Sequence, residues 1–367
     1  MEETKLEALA VKTAGNQMAT ITRPKMMRST GNAATSRALK FLGGVALLLV
    51  LLLALIPPLL SAKDEKVQGV HHPTTTPQGV EIAPGVVLPW ISNGIGSQSL
   101  WLERGGTGID TAFFYGDEAQ KAVGEAVKMN RHPRSELFVA TKVMCCPTLR
   151  CHNTVCSTGS EIADNPRAQL EHSLNVLDLP QVDLLLLHFP CTSFQDTVTA
   201  WRVLEAAQRD GLTRSIGVSN FNATVLQQLV LVANIRPAVN QCAYSVAGHP
   251  ASHNGDSKFC QEGSALYGSD DATVEMSRAL GVTFQAYSPL GTISKVNVMG
   301  HALVKEIAQT KNVTTAQIGL RWLMQQGIPS VTASHNPLHM DQSLAAVGLD
   351  PHFSLRQEEM KGLTEAT

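Results

Sequence analysis

Asp110 and Tyr115 in G-I-D-T-A-F-F-Y-G-D-E, Lys142 in L-F-V-A-T-K-V and His188 in V-D-L-L-L-L-H-F-P stand at the ends of three hydrophobic runs. An acid, a phenol, an amine and an imidazole, each just past a strand, are the parts of a proton-transfer site at the mouth of a parallel barrel. A phenol is useful there if its pKa, ordinarily near 10, is brought down, and a neighbouring ammonium does this by favouring the phenolate. Lys142 is the ammonium expected beside Tyr115, and Asp110 supplies the counter-charge that a buried amine needs. His188 can donate to a substrate oxygen and fix its orientation. Taken singly, each residue has an ordinary reading as a strand-end cap, a packed aromatic or a satisfied polar group. The joint occurrence at strand ends is what points to chemistry.

The elements that must position these residues follow from hydrophobic patterning. From about Val80 the chain alternates short Val/Ile/Leu-rich runs with longer stretches of helical period, which is the signature of repeated βα units. The strand candidates are W-I-S-N-G-I-G, T-G-I-D, E-L-F-V-A-T-K, V-D-L-L-L-L-H, S-I-G-V-S-N, P-A-V-N-Q, V-T-F-Q-A-Y and P-S-V-T-A-S. Several are almost wholly apolar, as strands buried on both faces must be. Helices are predicted over Asn165 to Leu179, with Pro166 in the first turn, over Thr199 to Arg209, and after Thr315 as a cap. Eight such units predict an α/β fold, a closed (β/α)8 TIM barrel over residues 80–367, with an open doubly wound sheet as the rival. Asp110, Lys142, His188, Ser219 with Asn220, Gln241, Tyr287 and Ser334 all fall at the carboxyl ends of successive runs. In a barrel those ends converge on one mouth, whereas an open sheet would string them along a line.

Ahead of the barrel, residues 1–40 read as a basic tail, 41–62 as a transmembrane or signal-anchor helix and 63–79 as a Pro/Thr-rich linker. The segment 41–62 holds no charged residue and is long enough to cross a bilayer core of about 30 Å. Residues 1–62 carry seven Lys/Arg against three Glu, a net of +4 within an overall −2, so the remainder carries −6. An acidic body offers no footprint for nucleic acid. The excess of positive charge on the amino-terminal side predicts a single-pass protein with a cytosolic N-terminus and a lumenal or extracellular barrel. A cleaved signal or import into an organelle are the competing readings.

The phrases G-I-D-T-A-F-F-Y-G-D-E, V-A-T-K-V, S-L-N-V-L-D-L-P-Q-V-D-L-L-L-L-H-F-P, S-I-G-V-S-N-F-N, R-P-A-V-N-Q-C-A-Y and Q-A-Y-S-P-L-G, in this order, resemble an aldo-keto reductase from about Val80 to the end. The resemblance implies reduction of an aldehyde or ketone, a small-molecule carbonyl substrate, by a nicotinamide dinucleotide in a monomeric barrel. It makes Asp110, Tyr115, Lys142 and His188 the catalytic set, with Tyr115 as general acid. It further implies that Ser219, Asn220 and Gln241 hold the carboxamide and that Tyr287 stacks on the nicotinamide. Ser288 and Leu290 would lie along the pyrophosphate, and Ser334 and His339 at the adenosine phosphate. NADPH is the cofactor this family habit implies. NADH is the alternative, because Ala333 and His339 stand where a Lys and an Arg usually meet the 2′-phosphate, and Gln342 and Ser343 where a Glu and an Asn usually meet the adenine. An imidazole is charged mainly below about pH 6.5, so its grip on phosphate is weaker than that of a guanidinium. A redox-sensing barrel with little turnover, serving a membrane partner, is the alternative of a different class. A metal-dependent hydrolase is a weaker rival, since no cluster of His and carboxylates sits at the strand ends.

Gln98, Met144 and Phe189 occupy places where the family often has Trp, and the first barrel helix is cut to S-Q-S-L-W-L-E-R. Long loops run from Met144 to Glu161 and from Ala247 to Asp271. The first holds Cys145, Cys146, Cys151 and Cys156, for which one or two disulfides within the loop are expected in an oxidising compartment, with zinc a weaker option. Cys191 and Cys242 are expected to pack near the site. Of two sequons, Asn222-Ala-Thr224 reads as a helix cap and Asn312-Val-Thr314 as the better glycan acceptor.

Overall fold

The computed structural model describes residues 72–145, 162, 165–248, 268–291, 296–348 and 353–366, and residues 69–367 form one compact unit. The predicted tail, the segment 41–62 and most of the linker lie outside the described residues, as do Cys146, Cys151, Cys156 and the larger part of both long loops. Among the described residues no helix is long and apolar enough to cross a membrane.

The described chain opens with an antiparallel meander of β1 (Thr74–Thr75), β2 (Gly79–Ala83) and β3 (Val86–Pro89). Three of its residues, Thr74, Thr75 and Gly79, lie in the stretch read as linker. Alternation puts Val80, Ile82, Val86 and Leu88 on one face, where they are buried with Phe138, Ala140, Leu184, Leu186 and Val239. Those partners belong to barrel strands, so the meander plugs the amino-terminal end of the barrel.

All eight predicted strands form: β4 (Ile91–Asn93), β5 (Gly108–Asp110), β6 (Phe138–Val143), β7 (Val182–Leu187), β8 (Thr213–Ser219), β9 (Val239–Ala243), β10 (Thr283–Tyr287) and β11 (Ser330–Thr332). They pair in parallel in chain order, and β11 closes on β4 through Ser330–Ile91, Val331–Ser92 and Thr332–Asn93. The rival open sheet is thereby excluded. The period of two sorts the side chains. Val139, Val143, Leu185, Leu187, Ile216 and Val218 face outward into the layer that packs against the helices. Phe138, Ala140, Leu184 and Leu186 face inward. Continuing that inward line by two residues reaches Lys142 on β6 and His188 after β7.

The helices are α1 (Gln98–Glu103), α2 (Asp117–Met129), α3 (Pro166–Leu177), α4 (Phe194–Arg209), α5 (Ala223–Val232), α6 (Asp271–Ala279), α7 (Ala302–Lys311), α8 (Thr315–Gln325), α9 (Pro337–Val347) and α10 (Gln357–Thr364). Helix α3 begins as predicted: Asn165 accepts from the amides of Arg167 and Ala168, and Pro166 needs no donor in the first turn. Helix α4 starts five residues before the predicted Thr199, because the Ser193 hydroxyl accepts from the Asp196 amide and caps an earlier turn. Asn222 caps α5 through the Val225 amide, as read from the sequon. The cap of α8 is Thr314 rather than Thr315, with Gln317 closing a reciprocal capping box. Thr314→Ala is expected to destabilise the barrel by about 1 kcal/mol, read as a shift in the denaturant midpoint at unchanged slope.

The first helix is indeed short, at six residues. The wall is closed there by Trp101, fully buried, whose indole N–H donates to the Gly108 carbonyl at 2.8 Å. A Cβ on Gly106 would lie 2.1 Å from that indole, so only glycine lets the ring fill the gap. The loop after β4 is also tied to the segment after β11. The Gly94 amide donates to the Thr332 carbonyl at 2.7 Å, the Ser97 amide to the Ser334 carbonyl at 3.1 Å, and Ser97 Oγ pairs with His335 Nδ1 at 3.0 Å.

Candidate active site

Lys142 Nζ, at the inner face of β6, donates to Asp110 Oδ1 at the end of β5 and to the Thr111 carbonyl at 3.1 Å. Both side chains are almost fully buried, at 1% and 3% exposure, so this is an ion pair enclosed by the barrel and not a surface contact. The other carboxylate oxygen, Asp110 Oδ2, accepts from Gln241 Nε2 at 2.9 Å, and the same Gln241 nitrogen donates to Gln285 Oε1 at 2.8 Å. Gln285 was missed in the sequence. It pairs in register with Gln241 and precedes Tyr287 by two, so the same inward parity that placed Lys142 would have found it.

Tyr115 sits on a single 3₁₀ turn, Phe113–Tyr115, between β5 and α2. Gly116 ends that turn at φ 84°, a left-handed backbone that lets the chain reverse into Asp117 and α2. The Lys142 ammonium lies 5.3 Å from the Tyr115 ring centroid and also interacts with its hydroxyl. The net effect on the phenol is opposite to the sequence expectation. Burial raises its pKa above the usual 10, Lys142 pulls it down without outweighing burial, and Asp110 adds to the rise. Lys142 behaves in the complementary way: burial lowers its pKa, but Asp110 and Tyr115 together raise it above the usual value. The ammonium is therefore charged and the phenol protonated across the neutral range.

His188 follows β7, its amide donating to the Val143 carbonyl at 2.8 Å. Its ring stacks on Phe189 (4.6 Å, 17°) and meets Phe114 and Tyr115 edge-on, each at 6.2 Å. Nδ1 is buried with no hydrogen-bond partner among the described residues. Burial, seconded by the Lys142 charge, pushes the imidazole pKa well below 6.5, so the ring is neutral at physiological pH. A group whose pKa is lower folded than unfolded takes up protons on unfolding. The stability it contributes is thus full above about pH 6.5 and is lost as pH falls below that value. The variant His188→Gln is expected to flatten the fall in denaturant midpoint between pH 6.5 and 5, measured by urea titration at each pH.

The carboxamide set predicted on β8–β10 is joined to this cluster. Ser219 Oγ donates to the Gln241 carbonyl at 2.8 Å, and Asn220 Nδ2 donates to Ser219 Oγ and to the His188 carbonyl, both at 3.0 Å. The Tyr287 hydroxyl donates to Asn220 Oδ1 at 2.8 Å. Asn220 and Ser288 both adopt positive φ, 63° and 50°, which turns the chain sharply at the two strand ends. The Leu290 side chain packs against Gly319 of α8, where a Cβ would lie 3.4 Å from its Cδ2. Ser334 and His339 lie apart from the Tyr115–Lys142 group, after β11 and on α9. Ser334 Oγ accepts from the Asn336 amide at 3.0 Å, and His339 is exposed.

The three positions that lack Trp differ in their fate. Phe189 remains beside His188, Met144 is fully buried, and Gln98 is buried with Asn93 Nδ2 donating to it at 3.1 Å. Cys145 is not paired within its own loop. It forms a disulfide with Cys191, 46 residues away, because β6 and β7 are neighbours and the cysteines follow close behind them, two residues after Val143 and four after Leu187. That removes Cys145 from any zinc set and corrects the packing role expected of Cys191. Cys242 is a buried free thiol, and burial pushes its pKa up.

A closed parallel barrel carrying an acid, an amine, a phenol and a neutral imidazole at one mouth defines a proton-transferring (β/α)8 enzyme. The Aldo/keto reductase family model matches residues 99–367. An aldo-keto reductase of Mycobacterium sp. (strain MCS) is 32% identical over 301 residues, covering 78% of this chain and 91% of that protein. A methylglyoxal reductase of Yersinia pestis is 29% identical, with 78% and 91% covered. Among solved structures, an aldo-keto reductase from a Medee basin deep-sea metagenome library superposes with a TM-score of 0.60 at 25% identity, covering 76% of this chain and 90% of that one. The Bombyx mori aldo-keto reductase in complex with NADP gives 0.57 at 26% identity, covering 76% and 89%. The chain belongs to the aldo/keto reductase family and is an NAD(P)H-dependent oxidoreductase that reduces carbonyl compounds.

Proposed function

We propose that the protein reduces an aldehyde or ketone to an alcohol with NADPH, Tyr115 acting as the general acid. The observation that carries this reading is the enclosed Lys142–Asp110 pair set against a protonated phenol. The nicotinamide, when bound, supplies a hydride to the carbonyl carbon. Negative charge then grows on the carbonyl oxygen, and the Tyr115 proton moves to it. The phenolate left behind is stabilised by the Lys142 ammonium, which Asp110 and the Thr111 carbonyl hold in place. His188, neutral and unprotonated on one nitrogen, donates from the other to the same oxygen and orients it. The walls around it are Phe114 and Phe189, which favour an apolar substituent on the carbonyl.

The residues present fit a nicotinamide carboxamide. Gln241 donates through Nε2 to Asp110 and Gln285, while its Oε1 accepts no hydrogen bond from the described residues and so can receive a carboxamide N–H. Ser219 and Asn220 flank it, and Tyr287 offers an aromatic face anchored by its hydroxyl. NADPH is favoured over NADH by family habit and by the NADP held in the Bombyx mori relative. Ala333 and His339 argue for a weak discrimination between the two, and fluorescence titration with each dinucleotide measures it.

Purified full-length protein, mixed with NADPH or NADH and a panel of aldehydes and ketones, is expected to consume the dinucleotide. No consumption above a Tyr115→Phe control would sink the enzyme reading and leave a barrel that binds the dinucleotide without turnover. The location we favour is an oxidising compartment, with residues 41–62 as anchor, supported by the Cys145–Cys191 bridge and by the exposed Asn312 sequon. Loss of a glycosidase-sensitive mobility shift in Asn312→Gln tests it.

A further inference from the structure

We propose that the Cys145–Cys191 disulfide is a positioning element of the active site, holding the backbone beyond His188 against the backbone beyond Lys142 so that full turnover requires the closed bridge. The inference rests on the reductase reading above.

Strands β6 and β7 pair up to Val143–Leu187, and the last ladder contact is the His188 amide on the Val143 carbonyl. Beyond it the two segments leave the barrel, and the disulfide joins them again, with the Cα atoms 5.3 Å apart. Each cysteine lies three residues past a site residue, Cys145 past Lys142 and Cys191 past His188. Both are buried, at 7% and 1% exposure.

The bridge is itself anchored on both sides. Gln169 of α3 clamps the residue before Cys145, accepting from the Met144 amide at 2.7 Å and donating to its carbonyl at 3.1 Å. The Cys191 amide donates to Thr197 Oγ1 of α4 at 3.0 Å. The His188 ring, by contrast, has a buried Nδ1 with no hydrogen-bond partner among the described residues, so none of their side chains fixes its angle through that atom. Ring orientation therefore depends on the backbone at 188 and on the packing of Phe114, Tyr115 and Phe189. A covalent tie three residues on restrains that backbone, and Phe189 lies within the span it restrains.

Opening the bridge is a two-electron exchange. One thiol of a dithiol attacks a cysteine sulfur, its second thiol resolves the mixed disulfide, and Cys145 and Cys191 become thiols while the reductant becomes a cyclic disulfide. The reduced protein keeps the Lys142–Asp110 pair and the carboxamide set on β8–β10, and loses the restraint on His188.

The test compares the full chain as purified with trapped thiols, the same protein after dithiothreitol and then after reoxidation, and Cys145→Ala/Cys191→Ala. Peptide mapping is expected to recover the Cys145–Cys191 linkage. In both the reduced wild type and the double variant kcat should fall about tenfold, while dinucleotide affinity stays within about twofold. Reoxidation should restore the wild type, and dithiothreitol should leave the double variant unchanged. Melting curves separate this from unfolding, since a merely structural bridge would lower thermal stability without splitting kcat from binding. Free thiols at Cys145 and Cys191, or a bridged-to-open kcat ratio near one in a protein that turns over, overturn this inference alone. Absence of turnover in the bridged wild type overturns the reductase reading and this one with it.

Discussion

Replacing Tyr115 by Phe is expected to lower kcat by about 10²–10⁴-fold while leaving dinucleotide affinity nearly unchanged. The substitution removes one oxygen and keeps the ring, so the edge contact with His188 at 6.2 Å is retained. The cofactor candidates Ser219, Asn220, Gln241 and Tyr287 are tied to one another without any hydrogen bond to the Tyr115 hydroxyl. A loss confined to kcat therefore reports the missing proton donor. Stopped-flow measurement of dinucleotide oxidation under single turnover checks this, because slow product release can mask a chemical step. Retention of more than a third of the wild-type single-turnover rate would show that His188 or water supplies the proton. The pH profile carries the same message. Since burial holds the phenol above its usual pKa of 10, reductive turnover should not fall through loss of this proton until strongly alkaline pH.

The second large effect is on the fold. Lys142→Met is expected to destabilise the barrel by about 3–5 kcal/mol, because it strands the Asp110 carboxylate in the interior with, among the described residues, the Gln241 amide alone to compensate. Asp110→Asn together with Lys142→Met should recover most of that loss, since a neutral amide beside an apolar chain leaves no unpaired charge. Chemical denaturation of the two single variants and the double variant gives the coupling directly. Activity separates the roles: the double variant should regain stability and remain inactive, because the ammonium that stabilises the Tyr115 phenolate is still gone. A double variant as unstable as Lys142→Met would mean that packing, and not charge, sets the loss. With Lys142 absent the one large downward influence on the Tyr115 phenol is removed, so its pKa rises further.

The sequence is informative where local rules and the fold agree. Inward parity along β6 and β7 runs Phe138, Ala140, Lys142 and Leu184, Leu186, His188, and a parallel barrel needs no more than that to bring the polar ends together. The start of α3 is legible because Asn165 and Pro166 each satisfy a helix terminus by their own chemistry. The β2–β3 hairpin was not legible. G-V-E-I-A-P-G-V-V-L-P carries a Pro84-Gly85 turn and a charged Glu81, and it follows a linker-like stretch, so its alternation is short and weak. The direction of the Tyr115 pKa could not be read either. It is a balance between burial, which depends on the whole fold, and one neighbouring charge. The Cys145–Cys191 pairing required knowing that β6 and β7 are adjacent, which a barrel supplies and a list of cysteine spacings does not.

The meander at residues 74–89 seals the end of the barrel away from Tyr115 and His188, and it is also where the described chain enters. The enzyme therefore has a handle and an inlet at opposite poles. A carrier joined directly at residue 72 would attach at the sealed pole, away from the residues that face substrate and dinucleotide.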